Sequence, residues 1–117
     1  MIPLEDVVCV SAVRTPMGNF GGTLRNMPVY DLGAVAMREA LARAKVAPTD
    51  VTEVIVGNTR QAGNGPNPGR TAALRAGVPV SVHVLTINNA CPSSMKGIII
   101  ASQMIRCQDA DIVLISP

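Results

Sequence analysis

The chain has 117 residues, with ten basic and eight acidic side chains, a formal net charge of +2, and three cysteines. Hydrophobic residues make up 48% of it and charged residues 15%, against a charged share of about 25% in typical domains, so we expect much of its apolar surface to contact protein outside this chain. The basic residues are scattered and there is only one Tyr and one Phe, which argues against nucleic-acid binding. The wide spacing of Cys9, Cys91 and Cys107 argues against a disulfide framework and a zinc site.

No apolar stretch reaches the roughly 18 residues that indicate a membrane-spanning helix. The N-terminus lacks the basic start and small-residue cleavage site of a secretory signal peptide. We therefore expect a cytoplasmic protein without a membrane partner.

Strands and helices are predicted to alternate along the chain. The apolar run from Asp6 to Arg14, which contains Cys9, predicts a strand covered on both faces and places that thiol in the core. Apolar residues spaced three and four apart predict an amphipathic helix from Asp31, its expected N-cap, to Lys45. Glu39 and Arg43 are spaced to form an ion pair on its outer face.

The remaining elements follow the same pattern. We expect a second strand over Glu53–Gly57, a short helix capped by Asn67 and ending near Gly77, a third strand leading to Cys91, a helix to about Gln108, and a fourth strand over Asp111–Ile115. This alternation predicts right-handed crossovers and a mainly parallel sheet. The helix after Cys91 is apolar nearly all round, so we expect it to be buried on all sides by a layer that this chain does not supply.

Cys91 is the candidate nucleophile. Pro92 favours the first position of the following helix, which places Cys91 at or near the N-cap. The free N–H groups and the positive dipole end of a helix N-terminus favour a thiolate and can hold an oxyanion. A free cysteine is more commonly a small buried hydrophobe. His83 lies at the far end of the predicted strand, too distant to serve as the base.

Several motifs resemble those of the thiolases, the acyl-CoA C-acyltransferases. Ser11 to Leu24, reading Ser-Ala-Val-Arg-Thr-Pro-Met-Gly-Asn-Phe-Gly-Gly-Thr-Leu, is similar to that family's N-terminal signature, and Asn88 to Gly97, reading Asn-Asn-Ala-Cys-Pro-Ser-Ser-Met-Lys-Gly, to its nucleophile motif. Shorter segments occur between them in the family's order: Asp31-Leu-Gly, Val56-Gly-Asn, Gln61-Ala-Gly, Asn67-Pro-Gly-Arg and Thr86-Ile-Asn. Two departures are Ser94, where the family commonly has Gly, and the ending Ile115-Ser-Pro in place of a Gly-Gly and an acidic residue.

The resemblance implies an α/β, thiolase-like layered fold. Residues 1–117 would be an incomplete N-terminal domain, with a mixed, largely parallel sheet and the helix after Cys91 buried between two sheets. It implies thiolytic cleavage of 3-ketoacyl-CoA, or the reverse Claisen condensation, through an acyl thioester on Cys91, whose backbone N–H donates to the oxyanion. Coenzyme A thioesters would be the substrates, with no permanently bound cofactor and no metal.

The resemblance also implies a homodimer or homotetramer for the full-length enzyme, with the third strand and the loop Gln61–Asn67 near the partner subunit. Because the family's catalytic histidine and second cysteine belong to its later part, we expect the isolated chain to be inactive. Two alternatives stay open: a relative of the ketoacyl synthases or HMG-CoA synthases, and a non-catalytic truncated thiolase-like chain that serves as a partner or scaffold. Arg14-Thr-Pro and Gln61-Ala-Gly favour a thiolase over the synthases.

Overall fold

A computed structural model describes residues 6–117. Its elements are α1 (Val29–Ala44), a 3-10 turn (Pro48–Asp50), β1 (Glu53–Gly57), α2 (Pro68–Arg75), β2 (His83–Ile87), α3 (Ser93–Arg106) and β3 (Val113–Ser116). From α1 onward, the predicted elements agree with these bounds to within two residues. The expected α/β fold class is confirmed.

The three strands form one parallel sheet with β1 in the centre, in the order β2-β1-β3. The register places Ile55 of β1 beside Leu85 of β2 and Ile115 of β3. Val54 to Gly57 are all buried, whereas β2 is an edge strand with no buried residue. The apolar pattern of β1 therefore reflects a strand that is covered on both faces.

Helices cover both faces of the sheet. Val54 and Val56 point to one side, because side chains alternate along a strand, and they join a core with buried residues of α1 and α2, among them Met37, Leu41, Ala72 and Ala73. Ile55 points to the other side and meets α3 at Gly97. This arrangement places the layers in the order α1/α2, sheet, α3.

Helix α1 begins two residues before its expected start. Pro28 is the N-cap, so Asp31 lies in the first turn and does not cap the helix as predicted. A carboxylate in that turn is still favoured by the helix dipole, and Asp31 forms an ion pair with Arg75 of α2. The predicted pair of Glu39 and Arg43 is confirmed, with 2.7 Å between Oε1 and Nε.

Helix α2 begins as the sequence predicts. The Asn67 side chain accepts a hydrogen bond from the Arg70 N–H at 3.0 Å, and Pro68 is the first helical residue. The same amide donates to the Val84 carbonyl at 3.0 Å. Asn67 therefore caps α2 and also ties the preceding loop to β2.

The predicted first strand is wrong. Residues 6–14 form no strand, Val8 and Val10 are 72% and 68% exposed, and Cys9 is exposed instead of lying in the core. An apolar segment becomes a strand only where its N–H and C=O groups meet a partner strand, and neither edge of the described sheet pairs with it. The prediction that the N-terminus is not a signal peptide also involves residues 1–5, which lie outside the part of the chain that the structure describes.

The fully buried residues of helix α3 are all small. Ser93, Gly97 and Ala101 are buried at intervals of four, and a Cβ added to Gly97 would lie 3.3 Å from the side chains of Ile55 and Ile115. The opposite face carries Met95, Ile98 and Ile99, which are 66%, 59% and 47% exposed. Within residues 6–117 the helix is thus buried on one face, not on all sides. No helix in this part of the chain is long and apolar enough to cross a membrane.

We expect the exposed face of α3 to make the isolated chain self-associate, because contiguous apolar surface drives association. Ile98→Glu should reduce association, since it places a charge within that face. Gln103→Glu, the control, adds the same charge at another exposed position of α3 and should change little. Sedimentation velocity over a range of concentrations measures the effect, and equal association of both variants would contradict the assignment.

Glu53 and His83 lie side by side at the start of β1 and β2. Burial raises the pKa of the Glu53 carboxyl above its usual value of 4.5, and the charge of His83 partly opposes this. The folded chain then holds the proton more tightly than the unfolded chain, so stability falls as pH rises from 4.5 through the folded pKa.

Urea unfolding followed by circular dichroism at low protein concentration measures this dependence. Glu53→Gln should remove the decline in the free energy of unfolding. His83→Gln should extend the decline to higher pH, because it removes the charge that lowers the Glu53 pKa. A stability that rises with pH in this window, and does so equally in Glu53→Gln, would refute the burial effect.

Candidate active site

Cys91 lies in the turn that joins the carboxyl end of β2 to α3, and it is exposed. Helix α3 begins at Ser93 with Pro92 as the N-cap. The thiol therefore lies one residue before the N-cap. The prediction that Pro92 is the first helical residue is wrong, because Pro92 is the N-cap. The cysteine remains next to the helix start, at the end of a parallel strand where ligands of open α/β sheets commonly bind.

A buried hydroxyl makes two of the hydrogen bonds that hold the backbone of this turn. Ser93, which is 3% exposed, accepts a hydrogen bond at Oγ from the Asn89 N–H at 2.9 Å and donates one to the Ala90 carbonyl at 2.6 Å. The Ser93 N–H donates to the same carbonyl at 3.1 Å. Both sides of Cys91 are thereby joined through one side chain.

Cys91 itself takes no part in these hydrogen bonds. Within residues 6–117 no group accepts its backbone N–H or pairs with its sulfur. Ala90, the residue before it, has φ +54°, a left-handed conformation that residues with a Cβ adopt rarely. The turn thus presents a free thiol and a free N–H on a backbone held by neighbouring residues.

Asn88 connects the turn to the loop after β1. Its Oδ1 accepts a hydrogen bond from the Ala90 N–H at 2.9 Å, and its Nδ2 lies 3.4 Å from the Thr59 carbonyl, to which it donates. In the same region the Asn58 N–H donates to the Ile87 carbonyl at 2.9 Å. The ends of β1 and β2 are therefore held together directly beside Cys91.

Gly57 lets α3 approach the end of β1. A Cβ at this position would lie 2.8 Å from both the N and the Oγ of Ser94, and 2.9 Å from the Cβ of Ser93. Such distances are too short for any residue other than glycine unless the helix moves. Gly57 thus sets how closely the first turn of α3 rests on the sheet.

Side chains hold the point where the glycine-rich loop 63–67 enters α2. Thr86 of β2 accepts the Gly69 N–H at 3.0 Å and donates its hydroxyl to Asn67. A Cβ on Gly69 would lie 2.6 Å from the Thr86 oxygen. These contacts give the loop a structural role in seating α2 on β2.

The structure does not bring the other candidate groups to Cys91. His83 begins β2 and Cys91 follows its end, so the strand separates them, as expected from the sequence. Cys107 caps the far end of α3, about 21 Å along a helix of this length, and Cys9 lies in the N-terminal segment. Over residues 6–117 no three His, Cys, Asp or Glu side chains gather into a set that could hold a metal ion.

The hydrogen bonds of Ser93 and Asn88 were not predicted. The signal present in the sequence is Asn-Asn-Ala-Cys-Pro-Ser, because Asn and Ser side chains commonly bond to nearby backbone in turns and at helix starts. Which backbone group each one contacts depends on the conformation of Ala90, which no pattern specifies.

Residues 7–116 match the family described as thiolase, N-terminal domain. An acetyl-CoA acetyltransferase from Cupriavidus necator is 48% identical over 111 residues, which cover 95% of this chain and 28% of that protein. The mitochondrial acetyl-CoA acetyltransferase of Danio rerio is 45% identical, with 95% and 26% covered. The chain thus spans about a quarter of the length of these relatives.

Two solved structures of thiolase-family proteins are also similar to this chain. A thiolase from Ascaris suum in complex with coenzyme A superposes with a TM-score of 0.87 at 40% identity, over 89% of this chain and 27% of that one. An acetyl-CoA acetyltransferase from Syntrophomonas wolfei gives 0.89 at 33% identity, over 92% and 27%. On the family match and these likenesses, the chain belongs to the thiolase family.

Proposed function

We propose that this chain is the nucleophile-bearing part of an acyl-CoA C-acyltransferase and that Cys91 carries the acyl group. One observation supports this most strongly: an exposed thiol and a free backbone N–H occur together at Cys91, in a turn held by its neighbours. Family membership supports the reaction class, since relatives from two kingdoms of life are named acetyl-CoA acetyltransferases.

The proposed cleavage step uses the Cys91 sulfur as an anion. The sulfur attacks the 3-keto carbon of a 3-ketoacyl-CoA, and a carbon–sulfur bond forms while the carbonyl electrons move to oxygen. When that oxyanion collapses, the bond between C2 and C3 breaks, and C2 takes the electron pair. A proton from an acid that we assign to a later part of a longer chain then completes acetyl-CoA. The shortened acyl group stays on Cys91 until the thiolate of a second coenzyme A accepts it. Condensation is the same sequence reversed.

Two groups near Cys91 suit the charge that develops in this step. Its own N–H is free to donate to the oxyanion, the arrangement that stabilises acyl-transfer intermediates elsewhere. The start of α3 adds the positive end of a helix dipole. Among residues 6–117, His83 lies at the other end of β2 and does not reach these groups. We propose that a later part of a longer chain supplies the base.

We extend the proposal to the organisation of the whole enzyme. Residues 1–117 would form an incomplete N-terminal domain, and the exposed face of α3 would be covered by the rest of the protein. The full-length enzyme would be a homodimer or homotetramer that uses coenzyme A thioesters as substrates and has no permanently bound cofactor.

We expect Cys91 to be the fastest of the three thiols to react with iodoacetamide near neutral pH. All three are exposed, so accessibility does not separate them, and Cys91 alone lies beside a helix start, a position where reactive thiols commonly occur. Peptide mass spectrometry of the 117-residue chain after timed labelling measures the three rates. Preferential labelling of Cys9 or Cys107 would count against the assignment.

A chimera tests the activity. Residues 7–116 would replace the matching segment of the Cupriavidus necator acetyltransferase, which supplies the remainder of the enzyme. We expect the chimera to cleave acetoacetyl-CoA in the presence of coenzyme A and Cys91→Ser to lose at least about 10³-fold of that rate, because a serine hydroxyl is not ionised at neutral pH.

Cys107→Ser is the matched control and should keep the activity, since Cys107 lies at the far end of α3. The 117-residue chain alone should show no turnover, because it brings no base near the sulfur. A folded chimera without activity, or an active Cys91→Ser chimera, would overturn the proposed function.

A further inference from the structure

We propose that Ser93 is a positioning residue for Cys91, and that its hydroxyl fixes the direction in which the thiol and its N–H point. This inference rests on the proposed function, because it assigns a partner to the nucleophile proposed above. It starts from the fact that the Cys91 sulfur and N–H have no hydrogen-bond partners in residues 6–117. The orientation of Cys91 therefore depends on the backbone around it.

The Ser93 hydroxyl uses its donor and one acceptor position on that backbone. It receives the Asn89 N–H at 2.9 Å and donates to the Ala90 carbonyl at 2.6 Å, so it closes a ring of hydrogen bonds around Cys91. Ser93 is 3% exposed, and a buried polar group that loses its partner costs free energy. Water is thus a poor substitute for either bond. The Ser93 N–H also reaches the Ala90 carbonyl at 3.1 Å, but the bond to Asn89 is made by the hydroxyl alone.

The conformation of Ala90 adds to this dependence. Its φ of +54° is unfavourable for a residue with a Cβ, and such conformations persist only where the surroundings hold them. Ser93 and Asn88 are the side chains that bond to Ala90, at its carbonyl and its N–H respectively. Without the Ser93 hydroxyl, the Asn89 N–H loses its acceptor and the Ala90 carbonyl keeps only the longer bond from the Ser93 N–H. The backbone before Cys91 is then held less tightly, and the direction of the thiol is less well fixed.

The side chain of Ser93 packs against Gly57 at the end of β1. Its Cβ lies 2.9 Å from the point that a Cβ on Gly57 would occupy, so the end of β1 sets the position of the hydroxyl. The neighbouring Ser94 makes no side-chain hydrogen bond with the described residues. Ser94 is therefore a matched control: it has the same side chain, at the next position of the same helix turn.

The test compares Ser93→Ala, Ser93→Thr and Ser94→Ala in the chimera. For Ser93→Ala we expect kcat to fall about 10- to 100-fold with KM changed less than about twofold, since misplaced reacting groups cost rate rather than binding. Ser93→Thr keeps the hydroxyl and should restore most of kcat. Ser94→Ala should behave as the unsubstituted chimera. Equal kcat in all four proteins would overturn the proposal.

Two measurements on the 117-residue chain do not depend on turnover. Ser93→Ala should slow alkylation of Cys91 by iodoacetamide relative to Cys9 and Cys107 in the same molecule, while Ser94→Ala should leave that ratio unchanged. In the unsubstituted chain the Asn89 amide should be protected from hydrogen exchange, because its N–H is bonded to Ser93.

An unprotected Asn89 amide would overturn the proposal even if Ser93→Ala fails to fold. An inactive chimera would count against the proposed function alone, because the alkylation ratio and the exchange of Asn89 still report on Ser93.

Discussion

The packing of α2 and α3 on the sheet depends on three glycines, which let these helices approach the strands closely. Gly57 receives the first turn of α3, Gly97 lets α3 lie against Ile55 and Ile115, and Gly69 lets α2 lie against Val56 and Thr86. At Gly57 and Gly69 a Cβ would come within 2.9 Å of the facing element. Because interiors are close-packed, an added methyl group would move a helix rather than fill a gap.

This close packing connects the core to the candidate site. Since α3 begins on Gly57, the Ser93 side chain enters the interior at the end of β1, where its hydroxyl reaches the backbone before Cys91. Asn88 and Thr59 add a second connection from the loop after β1. The thiol is exposed, but the residues around it, Asn89, Ala90 and Ser93, are held by hydrogen bonds. Such rigidity is what a nucleophile on a short turn requires.

Local patterns predicted much of the fold. The apolar run of β1, the Asn67–Pro68 start of α2 and the three- and four-residue spacing of α1 all depend on nearest neighbours along the chain. The segment 6–14 shows where such reasoning fails: its composition is that of a buried strand, but strand formation requires a partner edge, which composition does not report.

Helix α3 is a second element whose surroundings could not be predicted from its composition. Its apolar surface predicted burial on all sides, yet the fully buried residues are Ser93, Gly97 and Ala101, and Met95, Ile98 and Ile99 are exposed. The position of Cys91 could be predicted to within one residue from Pro92. The hydrogen bonds that hold the turn could not, because they depend on the left-handed conformation of Ala90. The geometry of the site thus depends on the backbone conformation as well as on the motif.

The central claim is that Cys91 accepts an acyl group. The most direct measurement is to mix the chimera with acetyl-CoA, stop the reaction in acid within seconds, and map the acetyl group by peptide mass spectrometry. We expect acetylation of the peptide that contains Cys91, its loss when free coenzyme A is added before the quench, and its absence in Cys91→Ser. A folded chimera that carries no acetyl group, or carries it on Cys9 or Cys107, would show that Cys91 is not the acyl acceptor.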